Sequence, residues 1–312
     1  MQVTVIGGAG TIGAATAYTL ALDRPTLDVA LCDVERDAAR GDATDVTHAR
    51  AHVAHPVGRS SGDRPGAVRA VDPGPGAIED ADVVVVAASG AGTQTGGRMA
   101  AIEANRAVVD EVAAWFPEHA PRPVVTVTNP LDRMNYRLFR RVGWERSRFV
   151  GYALSETARV ADELARRHGT TAERVSCPVV GEHGEHIVPL FSRASVDGDP
   201  LDLSAEEREA VTEYARRIPY DVIDWRGARH SSRWVTARGV AALTGRLLDG
   251  GLDTPVGLST PLDGEYGYEG VSLGVPVTLD ADGIDAVHEW DLPADERAAL
   301  DAAYEAVRAT PE

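Results

Sequence analysis

The chain has 312 residues, and its 48 acidic side chains against 31 basic ones leave a net charge of −17. So negative a surface repels nucleic acid and anionic membranes, which excludes both as partners. All the basic residues are arginine, and with the surplus of carboxylates this predicts a salt-adapted protein whose acidic surface holds water and cations.

Other gross features narrow the class further. Cys32 and Cys177 are too few and too far apart for a disulfide framework or a zinc cluster, so a reducing cytoplasm is the expected setting. No charged-then-apolar leader opens the chain, and no apolar run approaches a membrane span. The length suffices for two domains with substantial cores.

In chain order, QVTVI (2–6) predicts a short apolar strand, a glycine turn follows, and an amphipathic helix covers about 11–22. The turn reads Gly8-Ala-Gly10-Thr11-Ile12-Gly13. Glycines at this spacing allow a tight bend, close approach of a pyrophosphate to the backbone, and a helix seated near the sheet; the phosphates would rest on the positive helix end. LDVALCD (27–33) is the next strand, and Asp33 at its end lies 20 residues after Gly13. A carboxylate there accepts hydrogen bonds from ribose hydroxyls and repels a 2′-phosphate, which favours NAD over NADP. A helix near 36–50 leads into residues 57–79, whose Pro, Gly and Arg content predicts an irregular surface connection.

ADVVVVAAS (81–89) is an unbroken apolar run of the kind buried parallel strands show. SGAGTQTGG (89–97) is a glycine-rich loop suited to movement, and a helix follows over roughly 98–116 with Arg98 at its start. PVVTVTNP (123–130) is a further strand, stopped by Asn129-Pro130, so Thr128 and Asn129 fall at the mouth where such folds bind ligands. Repeated strand–helix order predicts an α/β fold: a Rossmann-type doubly wound parallel sheet over residues 1–148.

Beyond residue 148 the pattern becomes mixed α+β, so a second, catalytic domain is expected over 149–312, closely packed on the first. A helix near 155–168 precedes strands in SCPVVGE and IVPLFSRASVDG. Another helix precedes GARHSSRWVTARGVAALTGRLL, GVSLGVPVTL alternates like a strand pair, and an acidic amphipathic helix closes the chain. GEHGEH (181–186) packs two histidines and two glutamates together, but no further ligands stand at the right spacing for a metal site.

GGAGTIG with Asp33, TNPLD (128–132), LSETAR (154–159), GEHGEHIVP (181–189) and LDGEYG followed by LGVPV together resemble the L-lactate/L-malate dehydrogenase family, in order from residue 1 to about 308. The resemblance implies NAD-linked interconversion of small 2-oxo and 2-hydroxy acids by a homo-oligomer, a dimer or tetramer. It makes His183 the proton carrier, Glu156 (aspartate in most of the family) its orienting partner, and Arg159 the anchor of the substrate carboxylate. Arg98 becomes the residue that polarises the carbonyl, Asn105 falls seven residues on as the pattern expects, and His186 has no role. An imidazole that titrates near neutrality suits protonation of the oxyanion formed when hydride arrives, and suits the reverse step.

In the family that the chain resembles, substrate choice turns on the loop before Arg98. Its deciding position is Thr93, or Gln94 if the gap is placed earlier, and neither is charged. A second carboxylate desolvated without a partner costs on the order of ~3 kcal/mol or more. Lactate/pyruvate is therefore the expected pair. The alternative is malate/oxaloacetate, with a cation from GARHSSRW (227–234): Arg229, His230 or Arg233, beside Ser232 on the substrate's far side. A third reading is an NAD-binding protein that has lost turnover.

Overall fold

The computed structural model describes residues 1–54, 64–90, 97–227 and 232–309, with the side chains of 53–54 and 97–101 outside that description. The first half alternates as the sequence predicts. β1 (Gln2–Ile6), α1 (Thr11–Asp23), β2 (Asp28–Cys32), α2 (Arg36–Arg50), β3 (Val68–Val71), β4 (Val83–Val86), α3 (Gly97–Ala113), β5 (Val124–Thr126), α4 (Leu131–Val142) and β6 (Phe149–Gly151) follow in turn. The strands lie in the order β3-β2-β1-β4-β5-β6, all parallel. Helices cover both faces, which is why VVVV of β4 is buried along its whole length. The order reverses between β1 and β4, opening a crevice at the carboxyl ends of the strands.

The second half contains α5 (Leu154–His168), β7 (Val175–Ser176), β8 (Val179–Gly181), β9 (Ile187–Pro189), β10 (Ser195–Val196), β11 (Asp199–Pro200), α6 (Ala205–Trp225) and α7 (Arg233–Leu248). It ends with β12 (Gly251–Asp263), β13 (Glu269–Asp280), β14 (Gly283–Val287) and α8 (Ala294–Arg308). The main sheet does not stop at β6 but continues through β12, β13, β8 and β9, with β14 also paired to β13. The join is the antiparallel pair Ser259–Gly151. A side chain at Gly151 would lie 2.7 Å from the Ser259 Cβ, so the strands meet only because that position is glycine.

One apolar core crosses the junction, uniting Val3, Val85 and Val150 with Leu258, Val275 and Leu300. α1 packs along α7, and the ion pairs Arg24–Asp249 and Asp23–Arg238 tie their ends. The close packing expected of the two halves is present.

Three sequence expectations need correction. Residues 57–79 are not wholly irregular: Val68–Val71 forms the parallel edge strand β3, and Ala77 and Ile78 are buried against the sheet. GVSLGVPVTL is not a strand pair but lies within the single strand β13, whose partner is β12. β12 has no counterpart in the sequence expectations and carries Pro255 and Pro261; Pro255 falls inside the register shift between Leu252 and Val256, where a ladder N–H is not needed.

Candidate active site

The glycine turn and Asp33 meet at the crevice. Gly13 sits so close beneath the turn that a Cβ there would lie 2.0 Å from the Gly7 carbonyl oxygen. Gly10 is the N-cap of α1 and makes no side-chain bond to the helix end, and Thr11 and Ile12 form the first turn, half-buried. Asp33 Oδ2 accepts the Ala9 N–H at 2.9 Å and Oδ1 accepts the Glu35 N–H at 3.0 Å. Its carboxylate is thus fixed beside the turn but remains half-exposed. A cradle that tolerates no side chain at Gly8 or Gly13, with a positioned carboxylate 20 residues on, fits a dinucleotide.

Thr128, Asn129 and Asn105 join at the mouth. Thr128 Oγ1 donates to the Ala88 carbonyl at 2.7 Å. Buried Asn105 donates to the Asn129 carbonyl at 2.6 Å and accepts the Gly90 N–H at 2.8 Å, so it fastens two strand ends together. Asn129 itself is exposed at the tip.

The catalytic candidates come from distant segments and converge. Glu156, in the first turn of α5, is buried and meets a cation at each carboxylate oxygen, a hydrogen bond at Oε1 and an ion-pair contact at Oε2. Oε1 accepts from Arg159 Nη1 at 2.9 Å, and Oε2 stands 2.9 Å from His183 Nδ1. The i, i+3 spacing puts Glu156 and Arg159 on one helix face. Glutamate in place of the family's aspartate therefore still reaches the imidazole. Burial works against a charged His183, but the charge and hydrogen bond of Glu156, with Asp132 behind them, outweigh it and hold the imidazole pKa above its ordinary 6.5. Burial likewise opposes the Glu156 charge, yet His183 and then Arg159 hold its pKa below the usual carboxylate range. The pair is tuned to be ionic.

Asp132 is the residue that sequence reading passed over. It is 3% exposed, its Oδ2 accepts the backbone N–H of His183 at 2.8 Å, and its Oδ1 accepts from Ser259 Oγ at 2.6 Å. Burial pushes its pKa up to about 6, against the lowering effect of those two hydrogen bonds. In the sequence it stands two places after Asn-Pro at a helix start, where an acid is ordinary; only the long-range contact distinguishes it. His186 is exposed, and its N–H reaches Glu182 at 3.3 Å. It does not join the cluster.

Substrate-side candidates divide by position. Ser232 caps α7, and the first turn of that helix abuts the first turn of α5, where Ser155 Oγ lies 3.5 Å from Thr236 Oγ1. Arg233 opens α7 with its guanidinium 4.2 Å over the Trp234 ring and its buried Nε unpartnered. Thr93, Gln94, Arg229 and His230 lie outside the described residues, as does the side chain of Arg98, whose backbone is in the first turn of α3. Among the described residues no group of three or more His, Cys, Asp or Glu could hold a metal ion, and no helix is long and apolar enough to cross a membrane. Cys32 and Cys177 are buried, and burial pushes both thiols up to about 12.

A doubly wound dinucleotide crevice beside a carboxylate–imidazole pair and a half-buried arginine defines a nicotinamide-dependent dehydrogenase of small hydroxy acids. Comparison with known proteins narrows the class. Residues 1–151 match the NAD-binding domain of lactate/malate dehydrogenases, and residues 156–310 match the α/β C-terminal domain. The chain belongs to the lactate/malate dehydrogenase family, NAD-dependent oxidoreductases of 2-hydroxy acids, so the reading without turnover is set aside.

Among its relatives, the malate dehydrogenase of Halobacterium salinarum is 33% identical over 99% of this chain and 97% of its own length. That of Haloferax volcanii is 33% identical over 98% and 97%. Among solved structures, the malate dehydrogenase of Salinibacter ruber superposes with a TM-score of 0.85 at 27% identity, covering 99% of this chain and 96% of that one. The Aeropyrum pernix malate dehydrogenase gives 0.84 at 28%, covering 98% and 96%. These relatives overturn the expectation of a lactate-type enzyme. That expectation gave the uncharged Thr93–Gln94 loop more weight than the cations of GARHSSRW, which stood as the alternative.

Proposed function

We propose that this chain interconverts oxaloacetate and malate using NAD, with His183 as proton carrier, Glu156 as its partner and Arg159 as the anchor of the reacting carboxylate. The observation that carries the reading is one buried carboxylate, Glu156, 2.9 Å from both the His183 imidazole and the Arg159 guanidinium. Because Nδ1 of His183 faces Glu156, Nε2 is the nitrogen left for the substrate. When bound, NADH supplies the hydride that goes to the carbonyl carbon. His183, as imidazolium, then gives its proton to the oxygen; in the reverse direction the neutral imidazole takes the hydroxyl proton. Arg159 commits Nη1 to Glu156 and keeps Nη2 for a substrate carboxylate oxygen.

We assign Arg98 and Asn129 to the substrate carbonyl side, with Thr93, Gln94 and Ser232 lining the pocket. Gly8, Gly10, Thr11, Ile12, Gly13, Asp33, Asn105 and Thr128 are assigned to the cofactor, so residues 1–148 bind NAD and 149–312 supply the chemistry. The second carboxylate of oxaloacetate needs its own cation, and Arg233, in the first turn of α7 with an unpartnered buried Nε, or Arg229 supplies it. The same reading includes a homo-oligomer, dimer or tetramer, in a cytoplasmic setting. Exposed Tyr18, Leu22, Tyr220, Trp225 and Trp234 give apolar surface for such contacts.

The test is kcat/KM for oxaloacetate and for pyruvate with NADH. Oxaloacetate should be preferred by at least about tenfold, and Arg233→Ala or Arg229→Ala should erase roughly 10–100-fold of that preference while sparing pyruvate. A pyruvate preference in the unaltered chain would reject the assignment.

A further inference from the structure

We infer that Asp132 is a positioning residue for the reaction: a second carboxylate, behind the first, that clamps the main chain of His183 and adds its charge to the field in which the imidazole works. This rests on the reading of His183 as proton carrier. Glu156 grips the ring of His183 from α5, but a ring contact alone leaves the backbone of the turn after β8 free to shift. Asp132 removes that freedom, since its Oδ2 holds the His183 N–H at 2.8 Å. Asp132 is itself fixed by Ser259 Oγ at 2.6 Å. Ser259 is the residue through which β12 joins Gly151 of the parallel half. The clamp therefore ties the histidine of the second half to the strand junction and to the helix that starts just past the cofactor mouth.

A merely structural role would not require a carboxylate. Two hydrogen-bond donors can be met by a neutral amide, and a buried charge is costly to keep. The groups around His183 give that charge a use. His183 faces Glu156 and Arg159 from α5 and Asp132 from α4, while Asp132 faces His183 and Glu182 from the turn after β8. Arg159 opposes the imidazolium, and Asp132 adds to Glu156 in favouring it.

Three variants separate geometry from charge. In Asp132→Asn, Oδ1 can still accept from His183 and Nδ2 can donate to Ser259 Oγ, so the clamp is kept and the charge lost. Asp132→Ala loses both, and Ser259→Ala loosens the carboxylate. Each is measured for oxaloacetate reduction across pH and for the His183 imidazole titration by 1H–13C NMR of the Cε1–H signal, assigned by its loss in His183→Gln. Asp132→Ala should lower kcat on the order of 100-fold with KM for oxaloacetate nearly unchanged, since Arg159 is untouched. Asp132→Asn should keep most of kcat at low pH, but its His183 should titrate at lower pH and its activity should fall earlier as pH rises.

Wild-type kcat and wild-type His183 titration in both Asp132 variants would overturn the proposal. If Asp132→Ala fails to fold, Asp132→Asn and Ser259→Ala carry the same test. Turnover surviving in His183→Gln would instead remove the proton-carrier reading, and the NMR titration, which needs no activity, would still report on the clamp.

Discussion

At the scale of single residues, the coupling of His183 to Glu156 sets the pH behaviour. The imidazole pKa is raised above 6.5, so the stability it contributes is fully present below that pH and is lost as pH rises through the raised value. The Glu156 pKa is lowered below 4.5, so its contribution is present above 4.5 and is lost as pH falls through the lowered value. Between these limits the pair is ionic. With His183 as the proposed proton carrier, reduction draws on the imidazolium and should hold its rate past pH 6.5 before declining, whereas oxidation draws on the neutral ring and should rise through the same pH. Steady-state profiles in both directions check this. Glu156→Gln should move both limbs toward acid and lower kcat roughly 10–100-fold, and unmoved limbs would remove Glu156 as the tuning group.

Much of this trio was legible in the sequence, because its motifs carry histidine, acid and arginine at characteristic spacings. Asp132 was not, since its partners lie 51 and 127 residues away and its own segment looks like any helix start.

At the scale of elements, legibility followed local pattern. The α/β repeats of the first half were readable from apolar runs and glycines, and α5 from its periodicity. β12 was not, because its Pro255 is tolerated by a register shift that only the paired strand reveals. The turn from β1 into α1 gives the sharpest element-level expectation. With 2.0 Å between a Gly13 Cβ and the Gly7 oxygen, Gly13→Ala must push α1 off the sheet or distort the turn. We expect a loss of about 1–3 kcal/mol of stability, read as a lower Tm, together with markedly weaker NADH binding by fluorescence titration. Wild-type affinity and Tm in that variant would mean that the helix seat is not what shapes the crevice.

At the scale of the whole molecule, charge dominates. A net −17 on a 33.1 kDa chain sets carboxylates against one another wherever arginines do not intervene. Most ion pairs here are at least partly exposed, such as Arg36–Asp72 and Arg308–Glu305, and pairs of that kind contribute about 0–1 kcal/mol each. They cannot offset unscreened repulsion. Lowering salt from about 1 M to about 0.01 M lengthens the screening distance from about 3 Å to about 30 Å. The Tm from calorimetry should therefore fall on dialysis into low salt, and a salt-independent Tm would end the salt-adaptation reading.

The ladder that passes from β6 to β12 has a mechanical consequence. Enzymes that enclose a substrate by swinging one lobe against another need a compliant hinge between the lobes, and here that boundary is itself sheet, backed by a common core. The two lobes are welded. A swing of one lobe against the other would have to break that pairing and open the shared core, so His183 and Asp132 share one floor with the parallel strands.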